Sequence, residues 1–110
     1  MPAKNPELLP GTLDMLILKT LQRAPNHGYG IAQYIQRISE DALRVGEGSL
    51  YPALQRLLVN DWVEAEWGLS DSGRKVRIYT ITPAGRKQLH QEAKDYTFLI
   101  AGIAKVMEAR

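Results

Sequence analysis

The amino-acid sequence predicts a mainly α-helical fold with one small β-hairpin: a winged helix-turn-helix body followed by a long C-terminal dimerisation helix. Three observations carry that reading. Between Gly46 and Asn60, two glycines and a serine open a segment in which Leu50, Leu54 and Leu57 share one helical face at roughly 100° per residue. Two β-rich runs, Trp62–Leu69 and Lys75–Thr82, flank the turn residues Ser70-Asp71-Ser72-Gly73. Beyond Thr82-Pro83, apolar residues recur at steps of four and three from Leu89 to Met107. The implied division is a flexible N-terminal arm over 1–10, the winged body over 11–82 and the long helix over 83–110.

Residues 1–10 hold three prolines and one lysine, which suits an arm. Gly11-Thr12 then starts a helix, with Thr12 as N-cap and Asp14 set against the N-terminal dipole. Leu13, Met15, Leu16, Ile17, Leu18 and Leu21 make this helix apolar nearly all round, a first hint of a partner subunit, because a chain this small has trouble burying two faces. Ala24-Pro25-Asn26 stops it. His27 precedes the second helix as a capping or packing residue; Ile31, Ile35 and Ile38 form its inner face, and Gln33, Gln36 and Arg37 its outer one. The helix ends near Ser39, and a connection with a short turn around Asp41–Leu43 leads on to Gly48.

The third helix is expected to begin at Ser49, whose hydroxyl can cap the first turn, with Pro52 inside that turn, where its missing N–H costs nothing. Ala53 and Leu58 flank the leucine stripe. Tyr51, Pro52, Gln55, Arg56 and Val59 point outward, a small acid-free face suited to a DNA major groove, or simply a solvated one. Asn60-Asp61 form a cap and turn. Along Trp62–Leu69, Val63, Ala65, Trp67 and Leu69 alternate with Glu64, Glu66 and Gly68, the pattern of a half-buried strand. The returning strand has apolar residues of both parities, Val76 and Ile78 against Tyr79 and Ile81, which a bulge would reconcile. Thr82 and Pro83 then read as N-cap and first residue of a final helix of about 27 residues, about 40 Å long.

The sequence excludes more chemistry than it suggests. With no cysteine there is neither a disulfide nor thiolate-bound zinc, and His27 and His90 lack acidic neighbours at ligand spacing, so no metal site is expected. Gly28 and Gly30 lack the third glycine and preceding strand of a phosphate loop, and no nucleophile–base pattern stands out; neither an enzyme nor a cofactor is expected. Asp14 and Lys19 interrupt the apolar stretch near the N-terminus, against a signal peptide, and the run from Phe98 to Ala104 falls far short of a membrane span. A cytoplasmic protein is the expectation. Net charge is only +2, so its distribution matters more than its total: Arg74, Lys75, Arg77, Arg86 and Lys87 lie in an acid-free stretch from Ser72 to Gln91. A hairpin tip bearing Arg74 and Lys75 can meet phosphate or the minor groove. Trp62 and Trp67 are expected in the core or packed on the wing, or else stacked on a flat ligand.

Three segments, His27-Gly28-Tyr29-Gly30-Ile31, Gly48-Ser49-Leu50-Tyr51-Pro52-Ala53-Leu54-Gln55-Arg56-Leu57 and Tyr79-Thr80-Ile81-Thr82-Pro83-Ala84-Gly85-Arg86, resemble the PadR family of transcriptional regulators in order and spacing. The resemblance spans nearly the whole chain. It implies a winged-helix repressor of the short subgroup, dimeric through its single C-terminal helix with the first helix also at the interface. It also implies control of transporter or stress genes and a small, often aromatic effector, although no pocket motif carries over residue by residue. The expected DNA-binding residues are Ser49, Tyr51, Pro52, Gln55, Arg56, Arg74 and Lys75, and the expected target is an inverted-repeat operator on double-stranded DNA. The expected dimer surface of a homodimer is Leu13, Leu16, Ile17, Leu89, Ala93, Tyr96, Ile100, Ile103 and Met107. The rival readings are a winged-helix protein-interaction adaptor and a non-specific DNA-binding protein.

Overall fold

A computed structural model describes residues 10–110. Apart from Pro10, the expected arm therefore lies outside the described residues. The elements run α1 (Pro10–Arg23), β1 (Asn26–His27), α2 (Gly28–Ile38), α3 (Glu47–Val59), β2 (Val63–Leu69), β3 (Lys75–Ile81) and α4 (Pro83–Glu108). The strands form one antiparallel sheet in the order β1-β3-β2. The architecture is a winged helix-turn-helix with a long last helix.

The apolar surround of α1 has a simpler cause than a partner subunit. α1 is the central helix, packed against α2, α3, α4 and β3 at once. Leu13, Ile17, Leu18 and Leu21 are all buried in the one core, with Ile31 and Ile35 of α2, Leu50, Ala53, Leu54 and Leu57 of α3, and Leu89 of α4. Leu13, Ile17 and Leu89, expected on the dimer surface, therefore have no side-chain surface left to offer a second chain. Leu16 is half-buried and Ala93 exposed. Thr12 lies within α1 and does not cap it. Ile38 departs from its stripe and stands exposed at the end of α2.

Local chemistry fixes the joints. His27 caps α2: its Nδ1 accepts the Gly30 N–H at 3.1 Å. Beyond the C-cap Ser39, Glu40 and Asp41 take left-handed backbone angles, and the Leu43 N–H donates to the Ser39 hydroxyl at 3.0 Å. Between α3 and β2, Asp61 supplies the left-handed residue of the turn, while Asn60 does not. The Thr82 hydroxyl accepts the Gly85 N–H at 3.0 Å and donates to the Asp61 carbonyl at 2.7 Å. A Cβ at Gly85 would collide with the Trp62 carbonyl, so glycine is what lets α4 start hard against the base of the hairpin.

The hairpin has no bulge. Its ladder runs one for one from Val63↔Ile81 to Leu69↔Lys75, closed by the Ser70–Gly73 turn with Gly73 left-handed. Both parities of β3 are accommodated because both faces are covered to different depths. Tyr79 and Ile81 enter the core, whereas Val76 and Ile78 are half-buried on the opposite face. The alternation in β2 breaks down past Ala65: Trp67 and Leu69 lie on the core-side face yet stand in solvent, since the hairpin outruns the body there. α4 outruns it too. Of its 26 residues only Gly85 and Leu89 are buried, and the rest of the helix, roughly 39 Å in all, carries Tyr96, Phe98, Leu99, Ile100, Ile103, Val106 and Met107 exposed.

Candidate nucleic-acid interface

α3 begins three residues earlier than expected, counted cap to cap. Gly46 is its N-cap and no side chain caps it, so Ser49 is an exposed first-turn residue and does not cap the helix. Pro52 is accordingly the sixth helical residue, and its missing N–H leaves the Gly48 carbonyl without an i→i−4 partner. The earlier start also places Glu47 in the first turn, so the outward face is not acid-free at its tip, although Glu47 complements the helix dipole.

Tyr51, Pro52, Gln55 and Val59 are exposed on that face. The Tyr51 ring lies over the start of α2, where a Cβ on Gly28 would come within 3.2 Å of its Cε1. Gly28 thus admits the ring between α2 and α3. Tyr29, two-thirds exposed, and Gln33 extend the same surface from α2. A groove of about 610 Å³ between the two helices is lined by Tyr29, Gln33, Gln36, Arg37, Glu47 and Tyr51, among others.

Arg56 is the residue whose surroundings differ most from expectation. Its Nη2 donates to Asp14 Oδ1 at 2.8 Å and its Nε to Asp14 Oδ2 at 3.4 Å, a two-pronged pair between α3 and α1. This bond holds the guanidinium above the usual arginine range, so it stays charged. Asp14, expected to face the helix dipole, is instead nearly buried beneath it. Arg56 is 42% exposed, and its remaining N–H groups can still face a ligand. Gln55, beside it, has no such tether among the described residues.

The wing forms the other wall. A cleft of about 820 Å³ runs from His27, Tyr29 and Tyr51 across to Trp67, Arg74, Lys75 and Arg77, floored by Tyr79. Burial pushes the Tyr79 phenol up, and Arg77 pulls it down by less, so the floor stays neutral. Among the described residues no carboxylate pairs with Arg74, Lys75 or Arg77; the one ion pair is Asp14–Arg56. Glu64 and Glu66 project from the opposite face of the hairpin. The arrangement sets an exposed helix face and a cationic hairpin on two sides of one concavity, which suits a polyanion with readable edges. Among the described residues no group of His, Asp and Glu could hold a metal ion, and no helix is long and apolar enough to cross a membrane.

Sequence reasoning brought Tyr51, Gln55, Arg74 and Lys75 to this surface. It missed Tyr29 and Gln33 as its continuation, Arg77 as a cleft cation and Trp67 as a cleft aromatic. The equal parity of Trp67, Lys75 and Arg77 across the paired strands was the available signal.

The chain is similar in sequence and fold to known proteins. The chain matches the transcriptional regulator PadR-like family over residues 17–91. It is 30% identical over 90 residues to an uncharacterized protein of Lysinibacillus sphaericus, covering 82% of this chain and 83% of that one. It is 38% identical over 71 residues to the transcriptional regulator Rv3488 of Mycobacterium tuberculosis, covering 64% of each. Among solved structures, a transcriptional regulator from Clostridium thermocellum superposes with a TM-score of 0.79 at 27% identity, covering 86% of this chain and 92% of that one.

Proposed function

The chain belongs to the PadR-like family of transcriptional regulators, and from that premise we propose that it is a homodimeric repressor reading an inverted-repeat operator. The observation that carries the reading is the cleft between α3 and the wing, with Tyr51 of α3 on one side and Arg74, Lys75 and Arg77, which have no acidic partner among the described residues, on the other; Gln55 stands exposed one turn further along α3. α3 enters the major groove with Gln55 and Tyr51 at base edges, Ser49 and Pro52 near the backbone, and Arg56 held by Asp14 at the rim. The wing cations meet phosphate.

The dimer rests on α4. Ala93, Tyr96, Ile100, Ile103 and Met107 recur along an exposed line past the end of the body, and half-buried Leu16 adds to it from α1. Pairing these faces about a two-fold axis places the recognition helices at a fixed separation, so the half-sites fall about one or two turns of DNA apart. Phe98, Leu99, Gly102 and Val106 add a shallow apolar hollow of about 400 Å³ with Ile103 and Met107. This hollow supports a small aromatic effector that changes the angle between the long helices, and with it operator affinity.

Gln55→Ala is the direct test. It should weaken binding to the operator by about 1–3 kcal/mol while leaving affinity for random DNA and the melting midpoint unchanged. Equal affinity of wild type and variant for the operator would remove α3 from base reading; a wild type that does not tell operator from random duplex would favour the non-specific binder.

A further inference from the structure

Trp67 is 63% exposed, contributes nothing to the core and lies on the hairpin face that looks into the α3–wing cleft. Antiparallel pairing sets it directly opposite Arg77, and Lys75 lies two residues further along on the same face. Both cations are drawn onto its ring: Lys75 Nζ is 5.0 Å and the Arg77 guanidinium carbon 5.7 Å from the ring centroid. An unpaired lysine or arginine at a hairpin tip ordinarily samples many rotamers, and ordering it on phosphate costs that freedom at the moment of binding.

We propose that Trp67 is a positioning residue of the wing, holding Lys75 and Arg77 side by side toward the cleft so that they reach the DNA backbone already ordered. The proposal rests on the DNA-binding reading above and adds to it a residue that itself carries no charge. The indole face attracts each cation through its quadrupole, yet an aromatic ring does not neutralise charge as a carboxylate would. Phosphate can therefore take both cations without first breaking an ion pair. The ring also spaces them: cations two residues apart on the same face of β3 would otherwise repel and splay. Arg74, just after the turn, has no such ring among the described residues.

The test is a salt titration of binding to a short labelled duplex of random sequence, for wild type, Trp67→Leu, Trp67→Phe and Lys75→Gln/Arg77→Gln. Trp67→Leu keeps every charge, so counting charges alone forecasts no change. Positioning forecasts about three- to tenfold weaker binding, a shallower salt slope and substantial rescue by Trp67→Phe, whose ring still faces the cations. Placed on top of Lys75→Gln/Arg77→Gln, Trp67→Leu should cost nothing further; a loss that simply adds would mark general damage to the wing and overturn the proposal. Wild-type affinity and slope in Trp67→Leu would overturn it as well. If Lys75→Gln/Arg77→Gln weakens binding while Trp67→Leu does not, DNA binding stands and the positioning role falls. If the wild type does not bind duplex at all, both fall together.

Discussion

α1 and the second half of α4 look alike as sequence and behave differently as structure. Each is apolar around most of its circumference, and each suggests a missing partner. α1 has its partners within the chain, since α2, α3, α4 and β3 close around it and Ile17 and Leu18 retain no exposure. α4 is enclosed only as far as Leu89; beyond it, Phe98 reaches 83% exposure and Val106 and Met107 lie nearly as open. The difference is one of position in the fold. A helix in mid-bundle can bury every face, whereas one that runs past the bundle has nothing of its own to cover it. Apolar circumference alone therefore does not identify an interface.

Substitutions at matched apolar positions break the comparison open. The largest effect belongs to Ile17→Ala, which leaves a cavity inside the core and should cost about 2–5 kcal/mol in denaturant unfolding at any protein concentration. A midpoint shift that shrinks as protein concentration rises would instead place Ile17 at a subunit contact. Ile100→Asp should do the opposite. It removes no contact from the chain's own core, so secondary structure should persist while sedimentation changes from dimer to monomer and operator binding is lost. A variant that stays dimeric would exclude this line of α4 from the interface. The smallest effect belongs to Asp14→Asn. The Asp14–Arg56 pair is partly open to solvent, so its loss should cost at most about 1 kcal/mol of stability. Operator affinity should change with it, because the freed Arg56 loses its fixed orientation on α3, and fluorescence anisotropy would register the shift.

The same contrast explains what was legible beforehand. The leucine stripe of α3, the Ser70–Gly73 turn, the His27 cap and the Thr82-Pro83 start of α4 are local, and each depends on residues within one or two turns of one another. The start of α3 lies three residues before the expected cap because Gly46 caps through its backbone and leaves no side-chain signature. β1 is too short for any pattern, and it exists only because β3 lies alongside it. The bulge expected in β3 proved unnecessary because cover on both faces, and not slippage of register, accounts for its mixed parity. The Asp14–Arg56 pair spans 42 residues, which no local reading of charge could reach. Leu13, Ile17 and Leu89 were misplaced for the reason that separates α1 from α4: periodicity shows which face is apolar, and the tertiary arrangement decides what covers it.

The proposed symmetry at the operator rests on the uncovered half of α4, so stoichiometry tests the central claim most directly. Analytical ultracentrifugation of the protein with a duplex bearing the intergenic sequence beside its own gene should give two protomers per duplex. Nuclease footprinting of the same complex should protect two half-sites related by inversion and centred about one or two helical turns apart. A monomer at micromolar concentration that binds one such palindrome tightly, as a single copy and with an asymmetric footprint, would contradict the account.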